Sequence, residues 1–214
     1  MSPDPQAAPA PANLPFGEPT PLGLLGLAIG CAALVPIAFG ALPSDPAAAA
    51  RALSTAAWFC LLFGAGCQFL AGVMSLANKN VLGGTLLTTF SFNWVMNWWV
   101  LSELSQGRAP DGLVILSVDV AFLVAFVVLT YAFGFYSTLL FAFLLDIDIL
   151  YVLRIARHFA PSVGVLGTLV GVATVVLALI ALYIALAILL NGAAGRQLLP
   201  IGGPLFKPAA PART

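Results

Sequence analysis

Asp119, Asp146, Asp148 and Arg154 stand inside long apolar runs of the chain. An ionised side chain at the centre of a bilayer costs roughly 2.5–3.5 kcal/mol on insertion scales unless it is paired or turned toward a cavity. Asp146 and Asp148 are two positions apart, which on a helix separates them by about 200° around the axis, so they cannot form a shared-proton dyad within one helix. Asp146 shares its face with Leu150, Leu153 and Arg157, whereas Asp148 lies nearer Tyr151, Val152 and Ile155. Asp119 falls about 10 Å below the surface of its run at 1.5 Å per residue, and Arg154 lies at an overlapping depth on the neighbouring antiparallel run. Arg154 is therefore expected to pair with Asp119 or Asp148, because an unpaired charge there would be costly. Such a pair locks two helices or two protomers together; a proton or substrate role for one aspartate is the alternative.

Gln68, Thr85, Thr88, Thr89, Asn93 and Asn97 add neutral donors and acceptors. These side chains can hold a carboxylate or a small polar solute with little desolvation penalty, or serve as glue between helices. Trp94, Trp98 and Trp99 fall toward the end of their run, where an interfacial belt is the ordinary role of Trp98 and Trp99. Enzyme chemistry lacks parts: His158 is the only histidine, and no glycine-rich phosphate loop or Ser/His/Asp set can be assembled. Cys31, Cys60 and Cys67 all sit in apolar stretches without zinc-type spacing, so they are expected to pack as small apolar groups, with no metal and no cofactor.

The elements that position these residues follow from composition. Of 214 residues 61% are hydrophobic and 7% charged, with eight Lys/Arg against eight Asp/Glu, and the mean hydropathy is +1.06. A soluble domain carries about a quarter charged residues. So apolar a chain predicts a polytopic membrane protein in contact with lipid, and the balanced charge gives no basic face for nucleic acid. Residues 1–20, rich in Pro and Ala without Lys or Arg, read as a disordered tail. Six apolar runs follow within 21–192, at about 21–42, 53–76, 82–104, 112–134, 136–158 and 162–190, each long enough for the ~20 residues a crossing needs. Residues 193–214 form a C-terminal tail. Unbroken runs without period-two alternation predict an all-α, six-helix bundle and exclude a β-barrel. An even number of spans puts both termini on one side. Lys79, Arg196, Lys207 and Arg213 then face Arg51, Arg108, Arg154 and Arg157, which leaves orientation undecided by charge.

The stretch Glu18-Pro19-Thr20-Pro21-Leu22-Gly23-Leu24 starts the first run with two prolines and a glycine. It resembles the N-P-[AV]-P-L-G-L segment of the acetate/succinate permease family, the YaaH-type acetate uptake transporters. Gln68, Ala71 and Gly72 resemble that family's Q-x-x-A-G; Asn80, Gly83, Thr85 and Thr88 resemble its N-x-x-G-x-T-x-x-[ST]; and Leu190-Asn191 with Gly195-Arg196 and Leu199-Pro200-Ile201-Gly202 resembles its closing motif. The motifs cover the first and last thirds of the chain, while 112–160 matches only in hydropathy.

The resemblance implies a hexamer in the bacterial inner membrane, each protomer with its own narrow path for acetate-like monocarboxylates, sometimes succinate, moved with protons or as a channel. It implies an anion vestibule at Glu18, Pro19, Pro21 and Gly23, a waist at Leu27 and Phe90, and path-lining roles for Leu22, Gln68, Thr88 and Asn93. The chain also departs from the family. Glu18 replaces an asparagine and would repel an anion, and Ser75 and Ile188 stand where glutamates are frequent. A non-transporting scaffold subunit of a larger complex, contacting other membrane proteins through the added charges, is the rival expectation. A channel for a neutral solute is a third.

Overall fold

Residues 15–160 and 164–207 are described by a computed structural model. Residues 1–14 of the expected N-terminal tail and 208–214 of the expected C-terminal tail lie outside them.

Short polar side chains start most of the helices. Pro21 opens α1 (Thr20–Ala38) in its first turn, where a missing N–H is harmless, and Glu18 accepts from the Thr20 N–H at 2.9 Å. Asp45 accepts from Ala48 N at 2.7 Å to begin α2 (Pro46–Phe59). That helix runs on through a π-helical stretch, Cys60–Cys67, into α3 (Gln68–Ala77), so Pro46–Ala77 is one rod. Asn80 caps α4 (Val81–Ser105), Asp111 caps α5 (Gly112–Phe133) and Ser137 caps α6 (Thr138–Phe159). The last helix is α7, Gly164–Ala194. The breaks predicted at 43–46, 78–80, 106–111 and 134–136 are thus the caps and turns themselves, but the second run begins at Pro46 rather than near 53.

By length and apolar composition, α1, the Pro46–Ala77 rod, α5 and α7 can each cross a membrane. The other two long helices are diluted by less apolar residues: α4 by Thr, Ser, Asn and Trp, and α6 by Asp146, Asp148, Arg154 and Arg157.

The helices pack as two groups. One is α1, the Pro46–Ala77 rod and α4; the other is α5, α6 and α7; α1 against α7 joins them. Within the first group glycines permit backbone approach. A Cβ on Gly72 would lie 2.6 Å from Thr88 Cγ2 and 2.7 Å from the Thr88 backbone nitrogen, and one on Gly64 would collide with the Trp94 ring. Between the groups, α4 meets α5 through Phe90 and Phe126, edge to face at 5.0 Å, and Phe122 and Phe126 of α5 stack in turn on Tyr151 of α6 at 5.6 and 5.8 Å.

Both ends of the described chain are tied to the same end of the bundle. Asn78 exchanges hydrogen bonds with Phe16 and donates to the Gly17 carbonyl, all at 3.1 Å, so the last residues of the expected N-terminal tail are held in place. The C-terminal segment forms a strap. Asn191 accepts from Leu198 N (2.6 Å) and Leu199 N (2.9 Å), the Ser137 hydroxyl donates to the Ile201 carbonyl, and the Gly134 carbonyl accepts from Leu205 and Phe206. The Phe206 ring occupies the space a Cβ on Gly134 would fill.

Gly72→Val should lower stability by about 1–3 kcal/mol, the usual penalty of overpacking, because the Thr88 backbone cannot step aside. Gly192→Ala, with nothing within 4 Å of the added carbon, should leave Tm unchanged or slightly raised. Thermal unfolding of both variants in detergent checks the pair, and equal Tm values would remove close packing at Gly72 as a source of stability.

Candidate functional site

Two cavities lie toward opposite ends of the bundle. At the end carrying both termini, Glu18, Thr20 and Leu24 of the α1 region, Asn80 and Leu87 of the α4 region, Phe143 of α6 and Ile184 and Ile188 of α7 surround about 310 Å³, with Tyr136 and Ile201 at the rim. Toward the far end, Cys31 and Leu34 of α1, Phe90, Asn93, Trp94 and Asn97 of α4, Ile147, Tyr151 and Arg154 of α6, and Thr174 and Leu177 of α7 surround about 230 Å³. The lining steps from Leu24 to Cys31 on α1 and from Ile184 to Leu177 on α7, about 10 Å of helix, but only from Leu87 to Phe90 on α4 and from Phe143 to Ile147 on α6, about 5–6 Å. Leu27, Leu144, Phe126 and Ala181, each with no exposed surface, fill this middle level.

The path residues expected from the sequence divide accordingly. Phe90 and Asn93 line the far cavity, and Leu27 is sealed between the two. Leu22 is 37% exposed and lines neither cavity. Thr88 lines neither cavity. Its hydroxyl donates back to the Gly84 carbonyl at 2.7 Å and its methyl packs on Gly72, so it belongs to the α3–α4 contact. Gln68 is fully buried with Oε1 unpartnered, outside the lining of either cavity. In the N-terminal motif, Pro19 is the residue before α1, Pro21 is buried in its first turn, and a Cβ on Gly23 would press on Leu87 and Ala71. Glu18 caps α1 while its side chain lines the near cavity, so its charge is partly offset by the positive end of the helix.

The acidic residues belong mainly to the α5–α6 contact. Arg154 Nη2 lies 2.9 Å from Asp119 Oδ1, and its Nε donates to Oδ2 at 3.2 Å. The Thr130 hydroxyl donates to Asp148 Oδ2 at 2.7 Å. Asp146 is 8% exposed, and its Oδ2 has no partner among the described residues. Arg154 also lies over the Tyr151 ring, 5.6 Å from its centroid. It lines both the far cavity and a shallow surface hollow shared with Asp119, Arg157 and His158, and so stands between the two. Among the described residues no group of three His, Cys, Asp or Glu side chains is placed to hold a metal ion.

Two liners go unassigned to the path by the sequence. Trp94, grouped there with the interfacial tryptophans, is 2% exposed and lines the far cavity, with Nε1 unpartnered. Tyr151 is equally buried, with its hydroxyl unpartnered. Spacing carried a signal for both: Phe90, Asn93, Trp94 and Asn97 follow i, i+3, i+4, i+7 along one helix face, and Tyr151 precedes Arg154 by three.

Breaking the ion pair from either side should destabilise the fold. Asp119→Asn or Arg154→Gln should each cost about 2–3 kcal/mol, below the ~3–5 kcal/mol of a fully buried pair, because the Arg154 side chain is 28% exposed. The double variant should recover part of that loss. A double-mutant cycle on thermal stability measures it, and strict additivity would show that the two groups do not support each other.

No known family pattern matches the chain, and no curated protein does. Among solved structures the bacterial acetate channel SatP is similar, with a TM-score of 0.76 over 87% of this chain and 99% of that one, at 21% sequence identity. The likeness is one of fold: these helices are arranged as in a membrane channel.

Proposed function

We propose that this protein is a bacterial inner-membrane channel or permease for small monocarboxylic acids, with six crossings, both termini on one side and a path of its own in each protomer of a hexamer. The observation that carries the proposal is the pair of cavities in line along the bundle, separated only by the apolar level of Leu27, Phe126, Leu144 and Ala181 beneath Phe90. The fold shared with an acetate channel supports it. Taking a bare carboxylate through such a waist without hydrogen bonds is far costlier than taking the neutral acid. Transport is therefore of the protonated acid, or of the anion with a proton. Asp119, Asp146, Asp148 and His158 are the titratable groups placed along or beside the far half of the path, whereas Glu18 stands at the near mouth. A dicarboxylate such as succinate would bring a second carboxyl group into the waist and should pass more slowly.

In the far-end hollow Asp119 offsets Arg154 and Arg157 remains as the charge an approaching carboxylate would meet, whereas the near mouth carries Glu18. The sealed waist also gives the scaffold alternative a concrete form, in which the fold is kept and nothing passes.

Uptake of labelled acetate into proteoliposomes, with a pH gradient imposed and then collapsed, decides between them. Flux above that of protein-free vesicles should follow the gradient. Leu27→Trp should reduce it by about tenfold or more, the loss of roughly 1.4 kcal/mol or more of passage free energy, and Phe90→Ala should raise it. Background-level flux in both the wild type and folded Phe90→Ala protein would overturn the transport proposal in favour of the scaffold.

A further inference from the structure

We propose that Ile201 of the C-terminal strap sets the width of the opening to the near cavity, so that the strap selects by size what enters the path. The proposal deepens the transport assignment and rests on it for biological meaning, but the width of an opening can be measured without transport. The strap is built to hold one position. From Leu198 to Phe206 it has neither helix nor strand, yet its backbone is bonded to the bundle at both ends. On the α7 side, Asn191 accepts from the Leu198 and Leu199 N–H groups and donates to the Leu199 carbonyl at 2.8 Å, and the Tyr183 hydroxyl donates to the Pro200 carbonyl at 2.9 Å. On the side of the α5–α6 turn, the Thr138 hydroxyl and N–H both donate to the Gly203 carbonyl at 2.8 Å, and the Gly134 carbonyl accepts from Leu205 and Phe206. The Phe206 ring is seated among those of Tyr131, Phe135 and Phe141, with centroids 5.2, 5.4 and 5.8 Å away. Irregular backbone satisfied in this way can lie against an apolar bundle without orphaned polar groups.

Ile201 falls between the two sets of anchors, half-buried, with its own carbonyl held by the Ser137 hydroxyl, and it is one of the residues around the near cavity. The other walls include Ile188 of α7, Phe133 of α5 and Leu140 and Phe143 of α6, the same elements that the strap bridges. Tyr136, 64% exposed, marks the rim on the side of the turn. After Ile201 the chain turns at Gly202, whose φ is +73° and whose added Cβ would lie 3.2 Å from Thr138 Cβ, so a glycine is needed for the strap to lie against α6. A wall residue on a free loop would yield to a wide solute. Ile201 is pinned within two residues on either side, and moving it aside breaks several hydrogen bonds at once.

The experiment measures how fast a cysteine inside the near cavity is modified by neutral thiol reagents of two sizes, in the full chain in detergent. Ile188→Cys is the reporter, Gly192→Cys, exposed with nothing within 4 Å, normalises reagent reactivity, and the chain with its native cysteines alone gives the background. The methyl methanethiosulfonate should react at the reporter about tenfold faster than the benzyl one, and Ile201→Ala should shrink that ratio to about threefold or less, while Ile201→Trp slows both by about tenfold. Asn191→Ala, which removes three of the strap's hydrogen bonds, should also shrink the ratio. Thermal unfolding establishes that the variants are folded, and the Ile201 pair decides the matter if Asn191→Ala is not. A ratio unmoved by Ile201→Ala, rates unmoved by Ile201→Trp, or a reporter inert to both reagents even with Ile201→Ala would overturn the proposal. Size selection that follows Ile201 without acetate flux in proteoliposomes would keep the strap's role and refute transport, and flux with the ratio unmoved would do the reverse.

Discussion

One indole ring sets the geometry of the interior. Trp94 is clasped between Gly30 of α1 and Gly64 of the π-helical stretch: a Cβ on Gly30 would lie 2.9 Å from the ring, and one on Gly64 would collide with it. No other residue type at those two positions would let α1, the rod and α4 close around so large a side chain. The π-helical stretch contributes a wider turn where the ring lies, a departure from regular helix that recurs at functional places. The ring is among the residues that line the far cavity, and the Phe90 ring one turn away, another of them, lies 6.3 Å from it. The cavity therefore depends on the same tight packing that makes this half of the bundle rigid.

The other half is built differently. Its α5–α6 contact is held by polar pairs between helices, the Asp119–Arg154 pair and the Thr130–Asp148 hydrogen bond, set beside the stack of Phe122, Phe126 and Tyr151. Neither polar contact gains much against water, since desolvation offsets most of the attraction, but hydrocarbon offers no water to compete. There the relevant comparison is with an unpaired charge or carbonyl, and the pairs fix one register of α5 against α6. The outward face of α5 is left greasy, with Val120, Val124, Val127, Val128 and Tyr131 exposed, as befits a helix bordered by lipid or by another copy of the chain.

Much of this was legible in the sequence, for reasons that can be stated residue by residue. The long apolar runs had to be helical because a bilayer leaves backbone groups no other partners, and Asp45, Asn80, Asp111 and Ser137 ended up as caps because short polar side chains can bond the first free N–H groups. The opposed directions of Asp146 and Asp148, and the overlap in depth of Asp119 and Arg154, follow from helix geometry alone. What was not legible depended on which face each helix turns inward. Hydropathy averages over faces, and on a helix apolar all round nothing local distinguishes Leu22, which looks outward, from Leu27, which is sealed. Thr88 illustrates a second blind spot: a hydroxyl on a buried helix can donate to its own backbone, as this one does at Gly84, and then has no proton to give a solute. Trp94 shows a third, since its burial is decided by two glycines remote from it in sequence.

The contrast between the halves bears on how the waist can widen. Phe90 is bounded on one side by Trp94, which the glycines hold, and on the other by Phe126, whose neighbours are the Phe122 and Tyr151 rings. On the transport proposal, a rotation of Phe90 toward Trp94 would meet a ring held by the glycines, so the α5–α6 side would have to yield. That side is the one whose backbone does not touch α4 closely and whose own contact is polar and specific, hence able to move as a unit without coming apart. It is also the side gripped by the C-terminal strap, through Gly134 and Ser137 at the α5–α6 turn. Asn191, which anchors the strap to α7, thereby ties the α5–α6 turn to α7 at the end opposite the far cavity.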